Sequence, residues 1–392
     1  MTDHDRDQAP LAGLIVVSME QAISAPFATR QLADLGATVI KVERPEGDFA
    51  RQYDHDVAGE SAFFVWANRG KQSVIIDAKQ PAGRARLEAL IAGADVFVHN
   101  LAPAAAQRLD IDATTVHERY RHVIACEISG YGSAGPRSED KAYDLAIQAE
   151  AGVFSVTGDA TESKVGFSAA DIAAAMYALT SILAAIVRRD RTGVGAVIEV
   201  SMLESLTEWM SAPLYTAVHG PGQAPRTGRR HHAIAPYGTF VLGDQSTILI
   251  AVQNDREWLS LASQVLGLPE LGTDARFSTN ADRIAHVDDL ETIISAVLAD
   301  QPAHDVRERL AQAGIATASV NTLADVWQHE QLRARGRLRN VPTPSGPMEM
   351  LTAPFNISLW QPQSSWVPAL GEHDQATIDE VVSRGQRSDR AQ

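Results

Sequence analysis

In the first third of the chain, short apolar runs alternate with stretches whose apolar positions repeat at helical spacing. Residues 14–17 predict a strand and residues 26–35 a helix, with Gly36 in the C′ position that glycine favours. A second strand follows at 38–42 and stops at Pro45. The unit then recurs, with a strand at 73–76, a helix at 81–92 halted by Gly93, and strands at 95–99 and 122–128. Strands separated by helices of this length predict βαβ units and a mainly parallel sheet.

The pattern then changes. A loop rich in Gly, Ser and Pro occupies 130–136, long helical patterns run over 144–187, and a further strand is predicted at 196–200 with a helix starting at Leu203. Turn formers without periodicity fill 220–228 and mark a boundary. Beyond it lie a strand pair within 239–252, turning at Gly243 and Asp244, and helices near 255–266 and 289–299. The tail from Arg333 is Pro-rich and irregular and is expected to return to the first domain. The division is therefore 1–222, 223–330 and 331–392.

With 392 residues, 45% hydrophobic and 21% charged, the chain has ample material for buried cores. A single cysteine, Cys126, rules out an internal disulfide framework and fits a reducing compartment; its apolar surroundings mark it as a buried strand residue. A net charge of −15 argues against nucleic acid or an anionic membrane as partner. The first ten residues are polar and lack a signal-peptide core. The apolar stretch 172–187 is shorter than the ~20 residues that span a bilayer, so it predicts a buried helix. A cytoplasmic protein is expected.

Several common chemistries lack their motifs. The turn after the first strand has no Gly-x-Gly-x-x-Gly, where a dinucleotide pyrophosphate needs close backbone approach. There is no phosphate loop ending in Gly-Lys-Ser/Thr, no His-Glu-x-x-His zinc helix and no Gly-x-Ser-x-Gly elbow. A Rossmann-like framework remains that must hold its ligand in another way.

Seven segments occur in a telling order: PFATRQLADLGATVIKVERP at 26–45, NRGK at 68–71, DVFVHN at 95–100, SGYGSAGP at 129–136, Ala170-Asp171, RTGVG at 191–195 and PYGTF at 236–240. Together they resemble the class III CoA-transferases, the formyl-CoA transferase and carnitine CoA-transferase type, over about residues 11–360. The resemblance implies an α/β fold: a large Rossmann-like domain formed from both chain ends, a smaller inserted α+β domain, and two subunits interlocked as a homodimer.

It also implies that Asp171 is the nucleophile, attacking an acyl-CoA thioester to give an aspartyl anhydride and then an aspartyl-CoA thioester. Read from its position alone, an aspartate just ahead of an apolar helix is an N-cap. The two roles are compatible, because a helix N-terminus favours an anion. Coenzyme A is then a co-substrate, with no permanently bound cofactor and no metal. By position in the family pattern, CoA contacts fall to Ala22, Ile23, Arg44, Asn68, Arg69, Lys71, Asn100, Arg108, Lys141 and Tyr143. Arginine forks suit phosphate, although any one of these cations could equally be a solvated surface charge.

Ile23 stands where the formyl-CoA type carries glutamine, and the glycine-rich loop of that type is replaced by AVQND at 251–255, which disfavours formate and oxalate chemistry. The segment RRHHAIAPYGTF at 229–240 resembles members acting on succinate, glutarate, mesaconate, itaconate or citramalate. A second carboxylate on the acyl group needs a fixed cation, for which Arg230 and His232 are candidates. Two alternatives stay open. A 2-methylacyl-CoA racemase shares the scaffold, but carries His-Asp where this chain has Tyr143-Asp144, and tyrosine is a poor base at neutral pH. A non-catalytic CoA-binding protein is the other.

Overall fold

The computed structural model describes residues 8–358, 360–362, 365–373 and 377–383; most of the N-terminal segment considered for a signal peptide lies outside the described residues. The chain divides into two compact units. The first gathers described residues of 8–153, 165–212 and 331–383, and the second 154–164 and 213–330.

The first unit is built on a six-stranded sheet: β1 (Ile15–Met19), β2 (Thr38–Glu43), β3 (Lys71–Ile75), β4 (Val96–His99), β5 (Ile124–Ser129) and β6 (Val197–Ser201). Its order is β3-β2-β1-β4-β5-β6 and every pair is parallel. Val17 lies opposite Ile40 on one side and Phe97 on the other, and all three are buried. Strands buried on both faces read as continuous apolar runs, which is why these were visible in the sequence. The order reverses between β1 and β4, and ligands of open parallel sheets sit beyond the carboxyl ends of strands at such a reversal.

Helix α1 (Ser24–Asp34) follows β1 and ends where expected, with Gly36 at φ +100°. Short α2 (Ala62–Asn68) precedes β3, and α3 (Pro81–Gly93) leads to β4. Gly93 is the last residue of α3 rather than a stop beyond it. A Cβ there would lie 2.3 Å from the Val381 carbonyl oxygen, so the glycine lets the C-terminal helical residues 377–383 approach. Ile378 and Val381 join the core formed by Leu87, Leu90 and Ile91.

The helical pattern over 144–187 is interrupted. Helix α4 covers Asp144–Glu150, and after the glycine-punctuated polar stretch 157–166 comes α5 (Ala169–Thr192). At 24 residues α5 is longer than the apolar run suggested and, among the described residues, is the helix long and apolar enough to cross a membrane. Its buried face is mostly alanine: Ala169, Ala170, Ala173, Ala174, Ala175 and Ala178. Small side chains bring α1 close alongside α5, and α6 (Met202–Trp209) packs on it as well. Cys126, in β5, is buried, and burial pushes its thiol up to about 12.

The tail is more ordered than its prolines suggested. β10 (Leu338–Thr343) and β11 (Gly346–Leu351) form an antiparallel hairpin in which Pro342 faces Pro347. Prolines are tolerated there because a two-stranded ribbon is all edge. The second unit holds an antiparallel sheet of β7 (Tyr237–Val241), β8 (Thr247–Ala251) and β9 (Ala316–Ser319). β9 reads ATAS, too short and polar to be seen as a strand in advance.

Candidate active site

The loop joining β1 to α1 is held from both neighbouring strands. Asn100, just beyond β4, accepts the Gln21 N–H at 2.9 Å through Oδ1; its Nδ2 donates to the Gln21 carbonyl at 2.8 Å and to Ser24 Oγ at 3.3 Å. From beyond β2, Asp48 Oδ1 accepts the Ala22 N–H at 3.1 Å. Ala22 has φ +60°, a conformation that costs a residue with a Cβ about 1–2 kcal/mol, so these bonds oppose a real penalty.

Behind the loop lies a buried ion network. Asp48 Oδ2 accepts from Lys41 Nζ at 2.7 Å. Glu20 accepts from Lys71 Nζ at 2.6 Å and from Thr29 Oγ1 at 2.7 Å, with Lys41 Nζ 3.5 Å away. Glu43 takes a forked pair from Arg51 and a Ser73 hydroxyl. Burial alone would push Glu20 and Glu43 up, but the adjoining cations and hydrogen bonds outweigh it and hold both below the usual carboxylate range, Glu43 at about 2. Burial acts on Lys71 in the opposite sense and lowers it to about 7.

Asp171 lies in the first turn of α5, against the start of α1. It is not the N-cap: Ser168 holds that position and makes no side-chain cap. The capping is done from another helix. Asp144 Oδ1 accepts the N–H groups of Ala170 at 2.8 Å and Asp171 at 3.3 Å. Ser24, the first residue of α1, faces the Asp171 carboxylate with its hydroxyl and its N–H. Burial first, and the Asp144 charge second, push Asp171 up to about 7, while the Ser24 donors act the other way. Tyr53 also borders the site. Burial and the charges of Asp48 and Asp171 raise its hydroxyl to about 12, with Tyr143 a further neighbour.

The structure therefore gathers Ala22, Ile23, Asn100, Tyr143 and Asp171 around one loop and two helix starts. Three residues assigned to CoA make side-chain hydrogen bonds inside the fold. Lys71 gives its three N–H groups to Glu20, the Pro26 carbonyl and Asn68 Oδ1. Asn68 donates to the Phe64 carbonyl. Arg69 forks onto Asp34 at 3.0 and 2.9 Å and also donates to the Leu351 carbonyl. Lys71 and Arg69 are thus paired inside the fold, as a buried cation must be paired where it lies. Arg44, Arg108 and Lys141 are exposed, and the nearest carboxylate to Arg44 is Glu46 at 3.9 Å.

In the second unit, Arg230 is engaged by carboxylates of its own unit. Its Nη1 meets Asp288 at 2.6 Å and Glu291 at 3.2 Å, so its charge is already balanced. His232 is exposed and stacks on His231 at 4.9 Å. Ser24, Asp48 and Tyr53 were missed, and Asp144 was read only as the neighbour of Tyr143, not as a site residue. Serine or aspartate at a helix start carries no signal beyond capping, and the partners of these four are remote in sequence.

A parallel sheet with a carboxylate between two helix starts does not by itself name a reaction. The family model for CoA-transferase family III matches residues 11–374. The chain belongs to this family. It is 30% identical over 383 residues to the succinyl-CoA:glutarate CoA-transferase of Mus musculus, covering 95% of this chain and 86% of that one. It is 33% identical over 358 residues to the acetyl-CoA:oxalate CoA-transferase of Acetobacter aceti, covering 90% of each. A solved CAIB/BAIF family protein from Brucella suis matches with TM-score 0.84 and 32% identity, over 95% of this chain and 99% of that chain. This CoA-transferase is thus an enzyme that uses CoA as co-substrate and shares the mixed α/β fold of that structure.

Proposed function

We propose that this CoA-transferase moves CoA from an acyl-CoA, with succinyl-CoA as the leading donor, to a short-chain dicarboxylic acid through covalent intermediates on Asp171. The observation that carries this reading is Asp171 itself, a carboxylate in the first turn of α5 beside Ser24, with no cation among the described residues acting on it. A paired carboxylate would be a weaker nucleophile.

An Asp171 oxygen attacks the thioester carbonyl carbon, the C–S bond breaks, and a mixed anhydride and CoA thiolate result. The thiolate attacks the Asp171 carboxyl carbon and expels the donor acid, leaving an aspartyl thioester. The acceptor carboxylate then attacks that carbon, and the released thiolate attacks the acceptor acyl carbon. Asp171 is regenerated and the acyl activation is conserved throughout. Arg44, Arg108 and Lys141, exposed cations, are the candidates for the CoA phosphates.

The dicarboxylate class is supported by what similar proteins are named for: glutarate, mesaconate, D-citramalate and oxalate. The oxalate relative weakens the argument drawn from Ile23, so oxalate belongs among the acceptors to be tried. His232 remains the candidate for the distal carboxylate. Assembly as an interlocked homodimer in the cytoplasm, with 223–330 as the small domain, completes the reading. Large side chains left on the surface of the first unit support assembly, with Tyr143 67% and Phe167 56% exposed.

The test is incubation with succinyl-CoA and oxalate, glutarate, mesaconate, citramalate or acetate, with CoA products identified by mass. Dicarboxyl-CoA products support the reading. Acetyl-CoA as the sole product overturns the acceptor class. α-Proton exchange in deuterated water without transfer overturns the reaction.

A further inference from the structure

Asp144 is committed to the start of α5 in a way that a solvent-facing aspartate is not. One oxygen takes the Ala170 and Asp171 N–H groups, and the other accepts from Gln148 Nε2 at 2.7 Å. Gln148 is 1% exposed; its Oε1 accepts the Val165 N–H at 2.9 Å and its Nε2 also donates to the Phe167 carbonyl at 3.2 Å. The Asp144–Gln148 clasp thus ties α4 to the segment that enters α5 and ends on the backbone of Asp171.

A neutral Asn or Ser caps a helix about as well as Asp. Capping alone therefore does not call for a second carboxylate beside Asp171, where like charges repel. Resting on the nucleophile reading of Asp171, we propose that Asp144 is a positioning residue whose capping bonds fix the Asp171 backbone and whose negative charge favours acylation of Asp171. The bookkeeping of charge gives the reason. In acylation the Asp171 carboxylate becomes a neutral anhydride, the C–S bond breaks, and the negative charge leaves on the thiolate sulfur. Asp144 repels the carboxylate and not the anhydride, so the step relieves repulsion built into the resting enzyme.

Few other groups can set this behaviour. Ser24 from α1 faces Asp171 with two donors that act to lower its pKa, Tyr53 borders it from the turn after the 3-10 helix Phe49–Gln52, and Tyr143 precedes α4. The Asp48 charge, which acts on Tyr53, is met by Lys41. Asp144 is the one charged side chain among the described residues that shifts Asp171.

The experiment compares the full-length enzyme with Asp144→Asn and Asp144→Ser. Rapid mixing with succinyl-CoA, acid quench and peptide mass analysis give the rate of adduct formation on Asp171 across pH. The acid-side midpoint is expected to fall by roughly one pH unit in both variants. Acylation well above the midpoint is expected to slow severalfold while succinyl-CoA affinity is kept. An adduct on Asp171 with an unmoved midpoint in both variants overturns the proposal. A wild-type enzyme that forms no adduct on Asp171 overturns the nucleophile reading instead. A double-mutant cycle of Asp144→Asn with Asp171→Asn in urea denaturation at pH 8 is independent of activity; repulsive coupling is expected, and zero coupling overturns the charge role.

Discussion

The N–H of Ala22, at φ +60°, donates to Asp48 Oδ1 at 3.1 Å, and the other oxygen of the same carboxylate holds Lys41 at 2.7 Å. One buried aspartate therefore links an internal charge to the conformation of the loop that carries Ser24. Asp48→Ala removes both bonds together with the one from the Ala50 N–H, and leaves the Lys41 ammonium with Glu20 at 3.5 Å. A loss of about 3–5 kcal/mol in urea denaturation is expected, as for breaking a buried pair from one side. A change under 1 kcal/mol would show that the pair does not hold the loop.

Asp171 is expected to cost the enzyme stability. Its folded value of about 7 lies above the ordinary 3.8, so the folded state holds this proton more tightly than the unfolded chain does. Stability linked to the group is complete at low pH and is lost as pH rises from about 4 through 7. Asp171→Asn is therefore expected to raise the melting temperature at pH 8 and to change it little at pH 4. At about 1.4 kcal/mol per pKa unit, the gain at pH 8 is a few kcal/mol. Transfer is expected to vanish while CoA binding persists. Equal melting shifts at both pH values would contradict the raised pKa.

Glu20 and Lys71 are expected to behave unequally. Lys71→Met leaves Glu20 with Lys41 at 3.5 Å and with the Thr29 hydroxyl. Glu20→Leu leaves two buried lysines without that partner. The second change is expected to be the more damaging, by about 2 kcal/mol or more, since an uncompensated buried charge dominates the cost. Equal losses in urea denaturation would refute the shared-partner arrangement.

Arg69 and Arg108 separate structural cations from those free to bind. Arg69→Lys loses the fork onto Asp34 and is expected to lower stability by about 1–3 kcal/mol, with the KM for the CoA thioester little changed. Arg108→Ala, at an exposed site, is expected to leave the melting temperature unchanged and to raise that KM severalfold. A normal KM in the Arg108 variant would remove it from the CoA contacts.

Much of the sheet was legible in the sequence because its strands are buried on both faces and read as unbroken apolar runs. Motif order assigned Asn100 and Ala22 to CoA separately, and only the fold shows Asn100 bonded to the Gln21 backbone next to Ala22. The second unit's β9 and the β10–β11 hairpin were not legible, one being short and polar and the other interrupted by prolines. Burial of Lys71 and Arg69 was not legible either, because a cation's partner is chosen by the fold. Glu20 lies 51 residues before Lys71, and Asp34 lies 35 before Arg69.

Asp171 shows where the division falls. The sequence by itself determined that a carboxylate opens an apolar helix, since local spacing sets helix phase and apolar runs set burial. Only the tertiary structure decided what that carboxylate is. It brought the Asp171 side chain to the start of α1 at Ser24, gave the capping to Asp144, and left no cation among the described residues acting on Asp171. Hydrogen-bond geometry and Coulomb repulsion act over a few ångströms in space, and no spacing along the chain encodes such distances.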